Sequence, residues 1–232
     1  VADLDKTVDN INNHFYNKDR NRFFGCIDNK SCFDLKKGRH LDNGHTVKAF
    51  WMEYLVACMT GNEKLKEFAK HGMLTTLQSA QTDEHTNWYG DLLKKDASWW
   101  EYAELDQSAL TLALTGDYEL QDTLRPWVND YVDRQYGELN HFGLKTFFWR
   151  NGFHSTEHAL IGTILSNAIR ANACSDDKCR AENRVKLYFA PVNSDDTIFT
   201  PYLYSGKIVS VKDRENVKEV TFENIGLPVK AY

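Results

Sequence analysis

The chain has 232 residues, of which 42% are hydrophobic, and its 28 Lys and Arg against 33 Asp and Glu give a formal net charge of −5. This is the composition of an ordinary globular protein with enough chain for one sizeable core. The acidic balance disfavours a nucleic-acid partner, and no apolar run approaches the roughly 18 residues that a membrane-spanning helix needs. We therefore expect a soluble protein that binds neither nucleic acid nor a membrane. The chain begins at Val1 without the pattern of a signal peptide, so we expect that upstream sequence was removed or never included.

Two short polar loops each contain a pair of cysteines, and a fifth cysteine lies in an apolar segment: Cys26 with Cys32, Cys174 with Cys179, and Cys58 alone. The pattern predicts two local disulfides and one buried thiol, with a zinc site as the alternative. Neither loop has the CxxC spacing that zinc sites favour. Asn29 begins an N-glycosylation sequon. These features favour an oxidising, secreted compartment.

A repeat of about three helical units runs along the chain. Helices are predicted to start near His45, Trp99 and His154, which lie 54 and 55 residues apart. In the first two units a Thr-Gly turn, at residues 60–61 and 115–116, ends the helix, and a second helix follows.

The two helices of a unit differ in composition. In the segment 49–59 only Glu53 is polar, which predicts a helix buried nearly all round, whereas 63–78 has one apolar stripe typical of a surface helix. Ser98 and Glu101 form a capping-box signature at the start of the second inner helix. Alternating inner and outer helices indicate an α/α toroid, with a simple helical bundle as the alternative.

The third unit departs from this pattern. The Cys174–Cys179 loop stands where a turn and an outer helix are expected, and strands are predicted from Val185 onward, at 185–189, 197–200, 207–211 and 217–222. We therefore predict an α/α-toroid-like helical domain at 1–180 and a small antiparallel β module at 185–232 packed on it. Tyr202 and Tyr204 are expected in the core of this module, because alternating aromatics in a strand are more often core; the alternative is that they line a binding face with Pro201.

Two histidines at equivalent repeat positions, His45 and His154, begin inner helices, and Glu104 lies one turn into another. Two histidines facing one cavity would suit proton transfer near neutral pH. The alternative is that they are structural histidines at helix starts.

Four motifs in order resemble the N-acylglucosamine 2-epimerase and cellobiose 2-epimerase superfamily: GHTVKAFW at 44–51, WWEYAE at 99–104, DRQYG at 133–137 and WRNGFH at 149–154. The resemblance covers roughly residues 40–170. It implies that His45 and His154 are the acid/base pair, that Trp100 and Trp149 stack on sugar faces, and that Glu104 binds or orients the substrate. We also place Trp51 among the substrate contacts.

Two charges differ from the family pattern. Lys48 stands where the family has Glu, and Glu157 where it has Arg. We expect these two side chains to form a swapped pair at the substrate site, with His45 and His154 facing a common cavity. A complete toroid of this family has six hairpins, so this chain would supply about half, and a second chain or a segment outside this sequence would complete the ring.

Residues 154–158, HSTEH, also match the inverted zinc-peptidase motif H-x-x-E-H. The nearest acidic residue that follows is Glu182, which is too close for the usual third ligand, so we assign no metal. His158 then belongs to the substrate contacts or to the packing of the helix.

The sequence thus predicts a cofactor-independent sugar epimerase or isomerase that acts on a reducing carbohydrate by proton transfer between two histidines. A non-catalytic carbohydrate-binding or interaction protein on the same fold is the alternative. A third reading is a polysaccharide lyase or glycoside hydrolase that uses Glu104 or Asp106 with a second carboxylate.

Overall fold

The computed structural model describes residues 2–34, 41–82, 87–120, 124–140, 152–190 and 198–229. In these residues the chain is mainly α-helical with a small antiparallel β module near its C-terminus, as predicted. The helices are α1 (Ala2–His14), α2 (Asn43–Thr60), α3 (Glu63–Ala80), α4 (Trp99–Leu114), α5 (Leu124–Tyr131), α6 (Gly152–Asn172) and α7 (Asp177–Glu182). The strands are β1 (Tyr16–Asn17), β2 (Arg22–Phe23), β3 (Val185–Phe189), β4 (Ser205–Arg214) and β5 (Val217–Gly226). None of the described helices has the length and apolarity to cross a membrane.

Helices α2 and α3 form an antiparallel hairpin. Asp42 caps the start of α2, and Gly61 ends it in the left-handed conformation, with φ of 70°. A Cβ atom at Gly72 of α3 would lie 2.2 Å from the Phe50 ring of α2, so only glycine permits this close approach. The predicted Thr-Gly turn is therefore the link that folds the two helices together.

Helices α4 and α5 form the second hairpin. The predicted capping box is present at its start, where the Glu101 carboxylate accepts hydrogen bonds from the backbone N–H and the hydroxyl of Ser98, at 2.7 and 2.6 Å. Helix α5 returns to the N-terminal end of α4, where Trp127 Nε1 donates to the carbonyl oxygen of Trp99 at 3.1 Å.

Helices α2, α4 and α6 form a row in which all three run in the same direction, and we call them the inner row. In each neighbouring pair, a residue later in one helix contacts a residue later in the other. Between α2 and α4, Gly44 lies near Trp100 and Trp51 contacts Thr111. Between α4 and α6, Glu104 contacts His154 and Asp106 contacts His158. The N-terminal ends of the three helices therefore lie at one end of the row, and side chains from each can meet there.

A short antiparallel pairing precedes each helix of the inner row, which the sequence did not predict. The paired residues are Tyr16 with Phe23, Gln81 with Trp88, and Val132 with Leu139. In every case the partners are seven positions apart and follow α1, α3 or α5. The observed repeat is thus a helix, a short antiparallel pairing and an inner helix.

The prediction that α2 is buried nearly all round is confirmed for most of the segment 49–59, where Met52 alone is exposed, at 55%. One prediction about the helical part is wrong. The Cys174–Cys179 segment is not only a loop, because Asp176 caps the short helix α7 and Cys179 lies within it.

The β module is a three-stranded antiparallel sheet with the order β3-β5-β4. It packs against α6, and Val220 and Phe222 of β5 are fully buried. The predicted bounds of β3 are confirmed, and β4 and β5 contain the predicted strands 207–211 and 217–222. The predicted strand 197–200 is wrong over 198–200, because these residues lead irregularly into a turn at Pro201, and residue 197 lies outside the described residues.

Both predicted disulfides are present. Cys26 pairs with Cys32 and Cys174 with Cys179, with Cα–Cα distances of 5.4 and 5.6 Å. Cys58 is unpaired and partly buried in α2.

Candidate functional site

A charged cluster lies where the N-terminal halves of the inner row meet. Lys48 Nζ of α2 lies 3.0 Å from Glu104 Oε2 of α4 and 2.5 Å from Glu157 Oε2 of α6. The other oxygen of Glu104 meets His154 Nδ1 at 2.7 Å, and the other oxygen of Glu157 accepts a hydrogen bond from the Tyr202 hydroxyl at 2.8 Å. We call these five residues the Lys48 cluster.

The predicted pair of Lys48 and Glu157 is therefore present. The side chains of Glu104 and Glu157 are only 1% and 6% exposed, and Lys48 is 17% exposed. Burying two carboxylates is costly unless charge and hydrogen bonds compensate. Here one ammonium group pairs with both, and contacts with His154 and Tyr202 add hydrogen bonds. Lys48 Nζ also lies 4.4 Å from the centre of the Trp51 ring, which adds a cation–π contact.

His45 belongs to a second histidine–carboxylate pair. Its Nδ1 lies 2.7 Å from Asp42 Oδ2, while Asp42 Oδ1 accepts the backbone N–H of His45 at 2.7 Å and so caps α2. Burial alone would raise the pKa of Asp42, but its hydrogen bonds and its proximity to His45 outweigh burial and lower that pKa below its ordinary value. Asp42 therefore stays ionised and orients the imidazole.

Trp100 connects the two histidines. The centre of its ring lies 4.6 Å from that of His45 and 5.6 Å from that of His154. The side chains of His45 and His154 are 43% and 29% exposed, so both are accessible to a solute. Two partly exposed imidazoles, each with Nδ1 against a carboxylate, thus contact one indole.

The turn before β4 brings two tyrosines from the β module to the inner row. Tyr204 is buried, and its hydroxyl lies 2.8 Å from Thr111 Oγ1, which also accepts the Trp51 indole N–H at 2.9 Å. Tyr202 has φ of 59° and is 39% exposed, so the expectation that both tyrosines belong to a strand core is wrong for Tyr202. Burial, and then the neighbouring Glu157 carboxylate, raise the pKa of Tyr202 to about 12.

A cavity of about 320 Å³ opens beside the cluster. Lys48, Glu157 and Tyr202 form its polar edge, and the remaining wall is apolar: Trp51, Met52, Leu55, Val56, Met59, Phe153 and Leu203. Neither His45 nor His154 lines this cavity, so the common cavity expected for the two histidines stays a prediction.

The other predicted site residues lie as follows. Trp51 is 2% exposed, with its indole N–H bonded to Thr111. His158 is 1% exposed and contacts Asp106 Oδ2 through Nε2 at 3.2 Å and the Trp127 ring. Trp149 lies outside the described residues. Within the described part of the chain, no group of three or more His, Cys, Asp or Glu side chains is placed to hold a metal ion.

Sequence reasoning missed two participants. Asp42 could have been found, because an Asp three positions before His45 fits an N-cap that also reaches the histidine side chain. Tyr202 carried no local signal, because its partner Glu157 lies 45 positions earlier in the chain.

Comparison with known proteins adds no assignment at this point: no protein-family model matches the chain, and no curated protein has a matching sequence.

Proposed function

We propose that this chain is a distant relative of the N-acylglucosamine 2-epimerase superfamily and that it transfers protons on a reducing carbohydrate. The observation that carries the proposal is the pair of carboxylate-bound imidazoles, His45 and His154, on the same indole, Trp100. Indole faces suit sugar rings, and imidazoles suit proton transfer near neutral pH.

The hydrogen bonds set the role of each ring nitrogen. A carboxylate oxygen only accepts, so Nδ1 of each histidine carries the proton toward Asp42 or Glu104, and Nε2 is the nitrogen that exchanges a proton with the substrate. One histidine removes the proton beside the carbonyl of the open-chain sugar, an enolate forms, and the other returns a proton to the opposite face or to a neighbouring atom. This chemistry needs no cofactor, because the carbonyl itself acidifies the proton.

The structure gives less support to the hydrolase reading. Glycoside hydrolysis needs two carboxyl groups that flank the scissile bond. Glu104 is 1% exposed, and its oxygens contact Lys48 and His154. Asp106 is 3% exposed, and its oxygens contact Trp88 and His158. Neither is placed to reach a glycosidic oxygen.

Solvent exchange tests the proposal. Incubating the protein with glucose, mannose, N-acetylglucosamine or cellobiose in deuterated water should introduce deuterium at the carbon beside the carbonyl. His45→Ala and His154→Ala should each lower the rate by about 100-fold, the usual contribution of a positioned acid or base. His71→Ala is the matched control, because His71 is exposed on α3.

Two outcomes would change the conclusion. Sugar binding without exchange would favour the non-catalytic binding protein. Exchange that neither substitution lowers would place the chemistry on other residues.

We further propose that the inner row is half of an α/α toroid, completed by a second chain or by a segment outside this sequence. Support comes from the parallel inner helices and from the exposed apolar edge of α2 around Met52. Light scattering tests the second-chain version: a dimer that Met52→Glu dissociates would support it, and a monomer at every concentration would leave a segment outside this sequence as the source.

We propose a secreted location or another oxidising compartment. The two disulfides and the exposed Asn29 of the sequon support it. Peptide mapping without reductant should recover both bridges and Cys58 as a thiol, and each bridge should contribute about 2–3 kcal/mol to stability. Finding four free thiols in protein purified from its natural source would contradict this location.

A further inference from the structure

A chain of hydrogen bonds and ion pairs links the β module to His154. It runs from the Tyr202 hydroxyl to Glu157 (2.8 Å), from Glu157 to Lys48 (2.5 Å), from Lys48 to Glu104 (3.0 Å) and from Glu104 to His154 Nδ1 (2.7 Å). Each of the two carboxylates uses one oxygen for the contact that precedes it and the other oxygen for the contact that follows it. No residue of the chain is therefore bypassed.

From this geometry we propose that Tyr202 is a positioning residue for His154, acting through the Lys48 cluster from outside the helical part of the chain. The effect on catalysis rests on the proposed function. The link between the Tyr202 hydroxyl and His154 can itself be tested without a substrate.

The anchoring of the turn makes Tyr202 suitable for this role. Tyr204, two residues later, is buried against α4 by its hydrogen bond to Thr111. The left-handed backbone at Tyr202, an uncommon conformation for a bulky residue, directs its side chain to Glu157. Tyr204 thus holds the turn against α4, and Tyr202 in the same turn places its hydroxyl on Glu157 of α6.

Electrostatics determine what the hydroxyl does. With its raised pKa, Tyr202 stays protonated across the physiological range and always donates to Glu157. This bond satisfies part of the Glu157 charge, so Lys48 is shared between Glu157 and Glu104. Without it, Glu157 would compete harder for the ammonium group, and Glu104 would interact more strongly with the imidazole of His154.

Tyr202→Phe tests the link because it removes the hydroxyl and keeps the ring. The first readout is the Nδ1–H signal of His154 in ¹⁵N–¹H spectra, assigned by its loss in His154→Gln. We expect this signal to shift in Tyr202→Phe and in Glu157→Gln, while Tyr188→Phe leaves it in place. Tyr188 is the matched control, because it lies 63% exposed in β3 of the same module.

The second readout is the kinetics of deuterium exchange. We expect Tyr202→Phe to lower kcat by about tenfold with KM nearly unchanged, and to have no additional effect in a Glu157→Gln background. If exchange is absent from the wild-type protein, the proposed function fails, but the His154 signal still decides the link. A His154 signal that moves in Glu157→Gln and not in a folded Tyr202→Phe variant would overturn the proposal.

Discussion

Glu53 is a buried carboxyl group whose ionisation should make the stability of this protein depend on pH. It lies in α2 and is 3% exposed; Asn12 Nδ2 donates to its Oε2 at 3.2 Å, while Oε1 has no hydrogen-bond partner among the described residues. No cation of the described chain pairs with it. Burial raises the pKa of Glu53 to about 7, even though the hydrogen bond from Asn12 opposes this change.

The sign follows from proton binding. Between the ordinary glutamate pKa and about 7, the folded protein retains a proton that the unfolded chain has lost. The stabilisation is therefore complete at low pH and is lost as the pH rises through the folded-state pKa. At about 1.4 kcal/mol per pH unit, the free energy of unfolding should fall by roughly 2–3 kcal/mol between pH 5 and pH 8 because of this group alone.

Glu53→Gln should abolish this loss, because the amide has nearly the same shape and does not ionise. We expect the variant to gain roughly 2–3 kcal/mol relative to the wild type between pH 5 and pH 8, measured by urea denaturation. At pH 8 its Tm should rise by roughly 5–10 °C for a chain of this size. Glu119→Gln is the control, because Glu119 is exposed and should give the same difference at both pH values. A stability difference for Glu53→Gln that does not change with pH would refute the reasoning.

Other substitutions test the packing and the charges of the inner row. Lys48→Met should destabilise the fold by about 3–5 kcal/mol, because it leaves two buried carboxylates without their cation. Adding Glu157→Gln should restore part of this stability. Denaturant curves that show no loss of stability for Lys48→Met would contradict the ion-pair geometry. Gly72→Ala should lower stability by about 1–3 kcal/mol, since its Cβ would clash with Phe50. Gly162→Ala in α6 should raise stability by up to about 1 kcal/mol, because among the described residues a Cβ there meets no atom within 4 Å outside the backbone of its own helix. Thermal unfolding should rank these two variants on opposite sides of the wild type.

Features set by neighbouring residues were predictable from the sequence. The capping box of Ser98 and Glu101, the turn at Gly61 and both disulfides each depend on groups a few positions apart, and all are confirmed. The strand Val185–Phe189 is also confirmed, although it pairs with the later strand β5. A cap or a short bridge forms from local backbone geometry, so the residue types at fixed spacing are enough to predict it.

The candidate site needed both kinds of information. Helix starts and repeat spacing brought His45, Glu104 and His154 into consideration, and opposite charges at matched positions predicted the pair of Lys48 and Glu157. The sequence alone did not show that Glu104 joins Lys48 to His154, because this depends on the lateral packing of three helices that are about 50 residues apart in the chain.

Two features were decided by the tertiary structure. Met52 lies in a segment whose composition predicts burial, yet it is exposed, since burial depends on which element covers a face and not on the helix alone. Tyr202 was expected in the core of the β module, but Pro201 and the anchoring of Tyr204 on α4 form a turn that places its hydroxyl on Glu157. The capping box of α4, the turn at Gly61 and the disulfides follow from the sequence by itself, because they need only near neighbours. The joining of charges across the inner row required the folded chain, because its partners lie tens of residues apart.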